Sequence, residues 1–191
     1  MQERLLKAAC RALRRHGYAG LRTAEVSRIA GVSRGAQLHH FPTKERLVLA
    51  TTEYIFKATT ERARARAQAA LASSDPIEDL IRDGREFFFS DDFLVLLDLV
   101  LMGEKYRKIR DHIFALARTH RLAVEGAWLQ ALQKQAGLDA ARAETVLWLT
   151  LSLIRGLAIR SLWQADTALF QRLLDEWKGL ISPSLPPRRS S

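Results

Sequence analysis

The sequence predicts an all-α protein of about nine helices, and three observations carry that prediction. Only five prolines occur, and none lies between Pro76 and Pro183, so a long central stretch lacks the ring that interrupts helices. Apolar residues recur at helical spacing, while the strict apolar-polar alternation of half-buried strands is absent. Cap signals punctuate the chain, the strongest being Asp75-Pro76-Ile77-Glu78, with an N-cap acid, a proline at the first helical position and a second acid two residues on.

Each element follows from such signals. In the first helix Leu6, Ala9, Cys10 and Leu13 form one face, and Gly17 supplies a left-handed stop. Thr23 can cap a short second helix running to Ala30. Gly31-Val32-Ser33 then breaks the chain before a third helix that ends near Phe41-Pro42. Thr43 is the next N-cap, and its helix continues through Ala-rich and Arg-rich sequence to about Ala72. Further helices are expected from Pro76, from Asp92, from about Glu104 to Ala136, from Asp139 to Trp163 and from Thr167 to Ile181. Gly137 and Asp139 mark one junction by a terminating glycine and a new cap. Residues 183–191 read as a disordered tail.

Composition narrows the function. The apolar and charged fractions, 48% and 27%, are those of a globular protein. Residues 1–50 hold ten Lys/Arg against three Asp/Glu, a net charge of +7, whereas the remaining 141 residues carry only +2. A basic module on a nearly neutral body points to a polyanionic partner for the first part alone. The single cysteine, Cys10, leaves no intrachain disulfide or thiolate cluster, and its helical register places it in a core. The two most apolar stretches are too short or are interrupted by Arg155 and Arg160, so no membrane association is expected. The expected compartment is a reducing cytoplasm, since no apolar signal segment is seen. No cofactor is called for.

Thr23 to Ala30, the turn Gly31 to Ser33, and Arg34 to His40 have the spacing of a helix-turn-helix. Val26 and Val32 are placed to pack the two helices together. The stretches Thr23-Ala24-Glu25-Val26, Ala30-Gly31-Val32-Ser33-Arg34-Gly35-Ala36 and His39-His40-Phe41-Pro42-Thr43-Lys44-Glu45 resemble the signature of the tetracycline-repressor (TetR) family over about residues 4–55. The resemblance implies a DNA-binding domain at 1–47, joined by a long helix to a helical ligand-binding and dimerisation domain at 48–182. It implies a transcriptional repressor, a homodimer on palindromic double-stranded DNA, released by a small-molecule effector through movement of the fourth helix.

By the same resemblance Ser33, Arg34 and Gly35 face base edges. A guanidinium can donate two parallel hydrogen bonds to guanine, worth about 1–3 kcal/mol of discrimination, although Arg34 can equally contact phosphate. Thr23 and Lys44 open helices where hydroxyl, ammonium and free backbone N–H groups hold phosphates. His39 and His40 match backbone-contacting positions. Adjacent helical residues diverge by about 100°, so the pair is not expected to chelate a metal. Two residues depart from the family pattern, which has an apolar side chain at Gln37 and a tyrosine at Leu38. Gln37 either reads adenine or is buried against the first helix, and Leu38 either touches a thymine methyl or loses a phosphate contact.

Gly31-Val32-Ser33-Arg34-Gly35 also fits G-x-S-x-G, the nucleophile elbow of hydrolases, but that motif needs a strand before the serine. Glu25 to Ala30 has helical spacing, so an enzyme is not expected. The remaining rival is a dimeric helical ligand-binding protein without a DNA function. In the body, Phe87, Phe88, Met102, Tyr106, Trp128 and Trp148 either line an effector cavity or belong to ordinary core. The last two helices form the dimer interface in the resembled family, which assigns Leu149, Leu153, Leu157, Phe170, Leu174 and Trp177 to it.

Overall fold

The computed structural model describes residues 1–102 and 106–181, in which nine α-helices and no strands are found. The predicted start of one helix at Glu104 and the predicted tail lie outside the described residues. The helices are α1 (Gln2–Gly20), α2 (Thr23–Ala30), α3 (Arg34–His40), α4 (Lys44–Ala70), α5 (Pro76–Phe88), α6 (Asp91–Val100), α7 (Arg107–Gln135), α8 (Ala140–Arg160) and α9 (Thr167–Ile181). They form two compact units, Met1–Thr59 with Ser90–His120, and Thr60–Phe89 with Arg121–Ser191.

The first unit is organised by α1, whose Leu5, Ala8, Ala9, Ala12 and Leu13 are buried. This stripe is small in the middle, which lets α2 and α6 approach closely, as α1 packs against both. Gly17 adopts φ 61° and ψ −177° inside α1, yet the helix resumes to Gly20 instead of ending. The amide freed at this kink is not orphaned, because Tyr18 N–H donates to Asp98 Oδ2 of α6 at 3.0 Å. Two ion pairs reinforce the same contact, from Arg14 to Asp91 at 3.1 Å and to Asp92 at 3.5 Å. Leu47, Val48 and Ile55 of α4, Leu99 of α6 and Ile113 of α7 are buried in this unit.

In the second unit α5 and α8 cross closely. Gly84 makes this approach possible, since a Cβ there would lie 2.7 Å from Ile154 Cδ1. Asp75 caps α5 by accepting from Glu78 N–H at 3.0 Å, and Asp139 caps α8 by accepting from Arg142 N–H at 2.8 Å, both as their sequence signals predicted. A buried polar network crosses the core. Trp128 Nε1 donates to Asp83 Oδ2 at 2.9 Å, and Asp83 Oδ1 accepts from Arg66 Nη1 at 2.9 Å. Arg66 also pairs with Glu86. At the far end of α5, Lys178 of α9 bridges Asp75 and Glu78, each at 2.7 Å.

Several sequence expectations for the body are corrected. Leu157, Phe170 and Leu174, expected at a dimer interface, are buried inside their own unit by α5, α8 and α9 packing. Leu149 is 49% exposed, and Leu153 and Trp177 are partly exposed, with Trp177 Nε1 donating to Thr150 Oγ1 at 2.9 Å. Trp148, expected to line a cavity, is 45% exposed instead. Phe88, Met102 and Trp128 are buried, whereas Phe87 and Tyr106 are half-buried. Met102 and Tyr106 fall in the first unit, and Phe87, Phe88 and Trp128 in the second.

Candidate nucleic-acid interface

The turn between α2 and α3 is built by Gly31, whose φ of 62° and ψ of 43° place it in the left-handed region that glycine enters without steric cost. Gly31 N–H closes back on Arg28 O at 3.2 Å, and Val32 N–H on Ser27 O at 3.1 Å. Arg4 of α1 then reaches across, donating from Nη2 to Ala30 O at 2.7 Å and to Gly31 O at 3.2 Å. These carbonyls are the negative end of α2, so a guanidinium there both satisfies them and complements the helix dipole. Val26 is fully buried and Val32 half-buried beneath the turn.

Ser33 is the N-cap of α3, its Oγ accepting from Ala36 N–H at 3.1 Å. Ser33, Arg34, Gly35, Leu38 and His39 are exposed, so the start of α3 offers a hydroxyl, a guanidinium and bare backbone to solvent. Around Gly35 a Cβ would meet only Ser33 Oγ, at 4.0 Å, which leaves open space over the helix start. His40 is half-buried, and its ring meets that of His39 edge-on with centroids 5.5 Å apart. Among the described residues no cluster of three His, Cys, Asp or Glu side chains is placed to hold a metal ion.

Of the two readings open for Gln37, a base contact and burial, the side chain is found buried. It is fully buried, with Nε2 donating to Phe41 O at 2.6 Å, and so cannot reach a base edge. Its Oε1 is buried without a partner. Burial is the outcome because positions 34, 35, 38 and 39 take the solvent side of a two-turn helix, and position 37 falls on the opposite side.

Thr23 proves to be the first residue inside α2, with Arg22 in the N-cap position and no side-chain cap. Its carbonyl instead accepts from Ser27 Oγ at 3.1 Å. Thr43 does cap α4, accepting from Arg46 N–H at 3.1 Å. Lys44 follows it, half-buried, with Nζ donating to Ala19 O at 3.3 Å and lying 4.6 Å above the Tyr18 ring. Burial lowers its pKa, with Glu45 opposing that effect. Arg22 and Arg46, which the motif reading passed over, are exposed cations at the N-cap of α2 and in the first turn of α4. Their position beside helix N-termini was the signal available for finding them.

The stretch Gly31 to Gly35 joins two helices, and Ser33 Oγ is occupied as a cap. It therefore lacks the strand-to-helix turn of a nucleophile elbow.

Comparison with known proteins accords with this geometry. Residues 5–51 match the family described as bacterial regulatory proteins, tetR family. The chain is 45% identical over 172 residues to the HTH-type transcriptional regulator CymR of Pseudomonas putida, covering 90% of this chain and 84% of that protein. Among solved structures, a transcriptional regulator from Rhodococcus sp. Rha1 superposes with a TM-score of 0.72 at 22% identity, over 98% of this chain and 99% of that one. A regulator from Saccharomonospora viridis, in complex with choline, does so with a TM-score of 0.69 at 20% identity, over 98% of each. These two likenesses establish the shared fold. The length and identity of the CymR match, with the family match across the helix-turn-helix, show that the chain belongs to the TetR family of DNA-binding transcriptional regulators.

Proposed function

We propose that this regulator is a homodimeric repressor that grips a palindromic operator through α3 and releases it when a small molecule binds the helical body. The observation that carries the reading is the exposed Ser33-Arg34-Gly35 start of α3 on a turn braced by Arg4. Arg34 is the base reader in this reading, donating to guanine in the major groove, with Gly35 permitting close approach and Leu38 positioned for a thymine methyl. Ser33, His39, His40, Thr23 and Lys44 serve the phosphates and fix register, and Arg22 and Arg46 join them. Residues 1–47 act as the DNA-binding domain and residues 48–182 as the ligand-binding and dimerisation domain.

The dimer reading is supported by apolar side chains that the second unit leaves uncovered. On α8, Trp148 and Leu149 are 45% and 49% exposed, and Trp163, just past its end, is 69% exposed; on α9, Leu173 and Leu180 are 39% and 71% exposed. Soluble proteins seldom leave large contiguous apolar patches without a partner, and a second copy covers the same patch on both chains. Two recognition helices about 34 Å apart then meet successive major grooves, which is why a palindrome is the expected site. No helix among the described residues is long and apolar enough to cross a membrane. A bacterial regulator of this kind works in the cytoplasm, where its DNA is.

Enrichment of binding sites from a random DNA library tests the reading directly. A palindrome is expected to emerge. Binding should weaken steeply with salt as phosphate-bound counterions are released. Arg34→Ala should relax preference at one base pair per half-site, costing about 1–3 kcal/mol there. An unchanged base preference for that variant would remove Arg34 from its role, and failure to enrich any sequence would remove the operator reading altogether.

A further inference from the structure

The kink at Gly17 turns the last residues of α1 into a seat for Lys44, the residue that opens α4. Ala19 O, one of the carbonyls that a helix end leaves without an intrahelical partner, accepts from Lys44 Nζ at 3.3 Å. The Tyr18 ring lies beneath the same ammonium, with Nζ 4.6 Å from its centroid. A carbonyl at the negative end of a helix and the face of an aromatic ring both attract a cation. A lysine ammonium carries more N–H donors than one carbonyl takes up, so Lys44 seated in this way keeps donors for a ligand outside the protein.

The seat is itself held by α6. Tyr18 is 4% exposed, and its ring meets that of Tyr106 edge-on, with centroids 4.7 Å apart. Its backbone N–H, freed from the helix by the φ of 61° at Gly17, goes to Asp98 Oδ2 at 3.0 Å. The same oxygen would lie 3.1 Å from a Cβ at Gly17, so the carboxylate sits directly against the kink. Tyr18, Lys44, Asp98 and Tyr106 all belong to the first compact unit. A lysine free in solvent samples many rotamers and must be ordered when it binds. A seat that orders it beforehand removes that cost from association.

We propose that Asp98 is a positioning residue for DNA binding: by holding Tyr18, it fixes the Lys44 ammonium where a backbone phosphate meets it. As an acid it is no phosphate ligand itself, and it stands outside residues 1–47. The proposal rests on the phosphate role given to Lys44 above. It makes the hold of α6 on the kink of α1 a part of the DNA interface.

The test measures binding of the full-length protein to the palindrome enriched from the random library and to a mixed-sequence duplex, over a range of salt concentrations. Each variant is first shown by circular dichroism to be folded. Lys44→Ala should weaken both duplexes about tenfold and reduce the salt slope by about one. Asp98→Ala should weaken both about threefold. That sign is opposite to simple electrostatics, since removing an acid should tighten binding to a polyanion. Asp98→Asn keeps an acceptor for the Tyr18 amide and should restore the affinity. Tyr18→Leu should also weaken binding, and in a Lys44→Ala background neither it nor Asp98→Ala should have a further effect. The unaltered protein supplies a reading of its own by nuclear magnetic resonance: the Lys44 ε-methylene signal should be displaced upfield by the Tyr18 ring, and should move toward its free position in Asp98→Ala. Unchanged or tighter binding by Asp98→Ala, an equal loss from it with and without Lys44, a loss as large from Asp98→Asn, or an undisplaced methylene signal would each overturn the proposal. If Lys44→Ala weakens binding and Asp98→Ala does not, the phosphate role of Lys44 stands and the role of its seat falls. If Lys44→Ala binds as the parent does, both fall.

Discussion

Cys10 shows how one residue's environment sets its chemistry. Burial, aided by Asp92, pushes its thiol up to about 11 from an ordinary value of 9.0. The native thiol therefore stays protonated near pH 9, where that of the unfolded chain is half ionised. Stability from this group is present below pH 9 and falls as pH rises toward 11, because ionisation favours the unfolded chain. Modification by a thiol reagent at pH 8 should be slow in the native protein and at least tenfold faster in urea, and equal rates would contradict the burial. Asp83 is the complementary case, a carboxylate stable inside because Arg66 and Trp128 both donate to it. Asp83→Ala strands the indole N–H and leaves Arg66 with Glu86 alone, and should cost about 1–3 kcal/mol in urea denaturation. Neither outcome is visible in residue type. Cys10 was expected in a core from its helical register and is half-buried, and nothing local distinguishes Asp83 from the solvated acids around it.

At the scale of elements, the caps were partly legible: Asp75, Asp139 and Thr43 were read as caps, whereas Thr23 was read as one and is not, and Ser33 was read only as part of a turn. Asp75, Asp139, Thr43 and Ser33 all accept the backbone N–H three residues on, as short-range capping chemistry demands. The kink in α1 was only half legible. Gly17 signalled a left-handed residue, but the continuation to Gly20 depends on Asp98 of α6, distant in sequence, taking the Tyr18 amide. Gly17→Val should therefore do more than spoil a dihedral. Its Cβ would sit 3.1 Å from Asp98 Oδ2, at a φ of 61° that branched side chains resist. The expected cost is about 1–3 kcal/mol, read from chemical denaturation, and Gly17→Asn should recover part of it. A cost below about 0.5 kcal/mol for the valine would show that the kink relaxes freely.

For the whole molecule, the decisive property is which faces of α8 and α9 remain uncovered. Both helices are apolar on several sides, so periodicity alone could not divide core from interface. Packing against α5 buries Leu157, Phe170 and Leu174, and leaves Leu149, Trp163 and Leu180 outside. Leu149→Arg should accordingly shift sedimentation from dimer toward monomer and weaken operator binding, whereas a substitution at Leu157 should lower the melting temperature first. A Leu149→Arg protein that sediments as an unaltered dimer would place the interface elsewhere.

Local chemistry thus made much of this protein readable in advance. Helix class, most boundaries, the glycine-centred turn and the basic N-terminal module follow from dihedral preference, capping and charge within a few residues of each other. The exposure of Arg34 belongs to the same class, since a two-turn helix braced on one side must turn the start of its other side to solvent. Gln37 marks the limit. Its residue type left a base contact and burial both open, and only folding chose burial; the burial of Asp83 and the meeting of Arg121 with Arg155 above Phe88 were settled by neighbours from elsewhere in the chain. Burial is a property of what packs against a side chain, and those partners come from helices that only folding brings together.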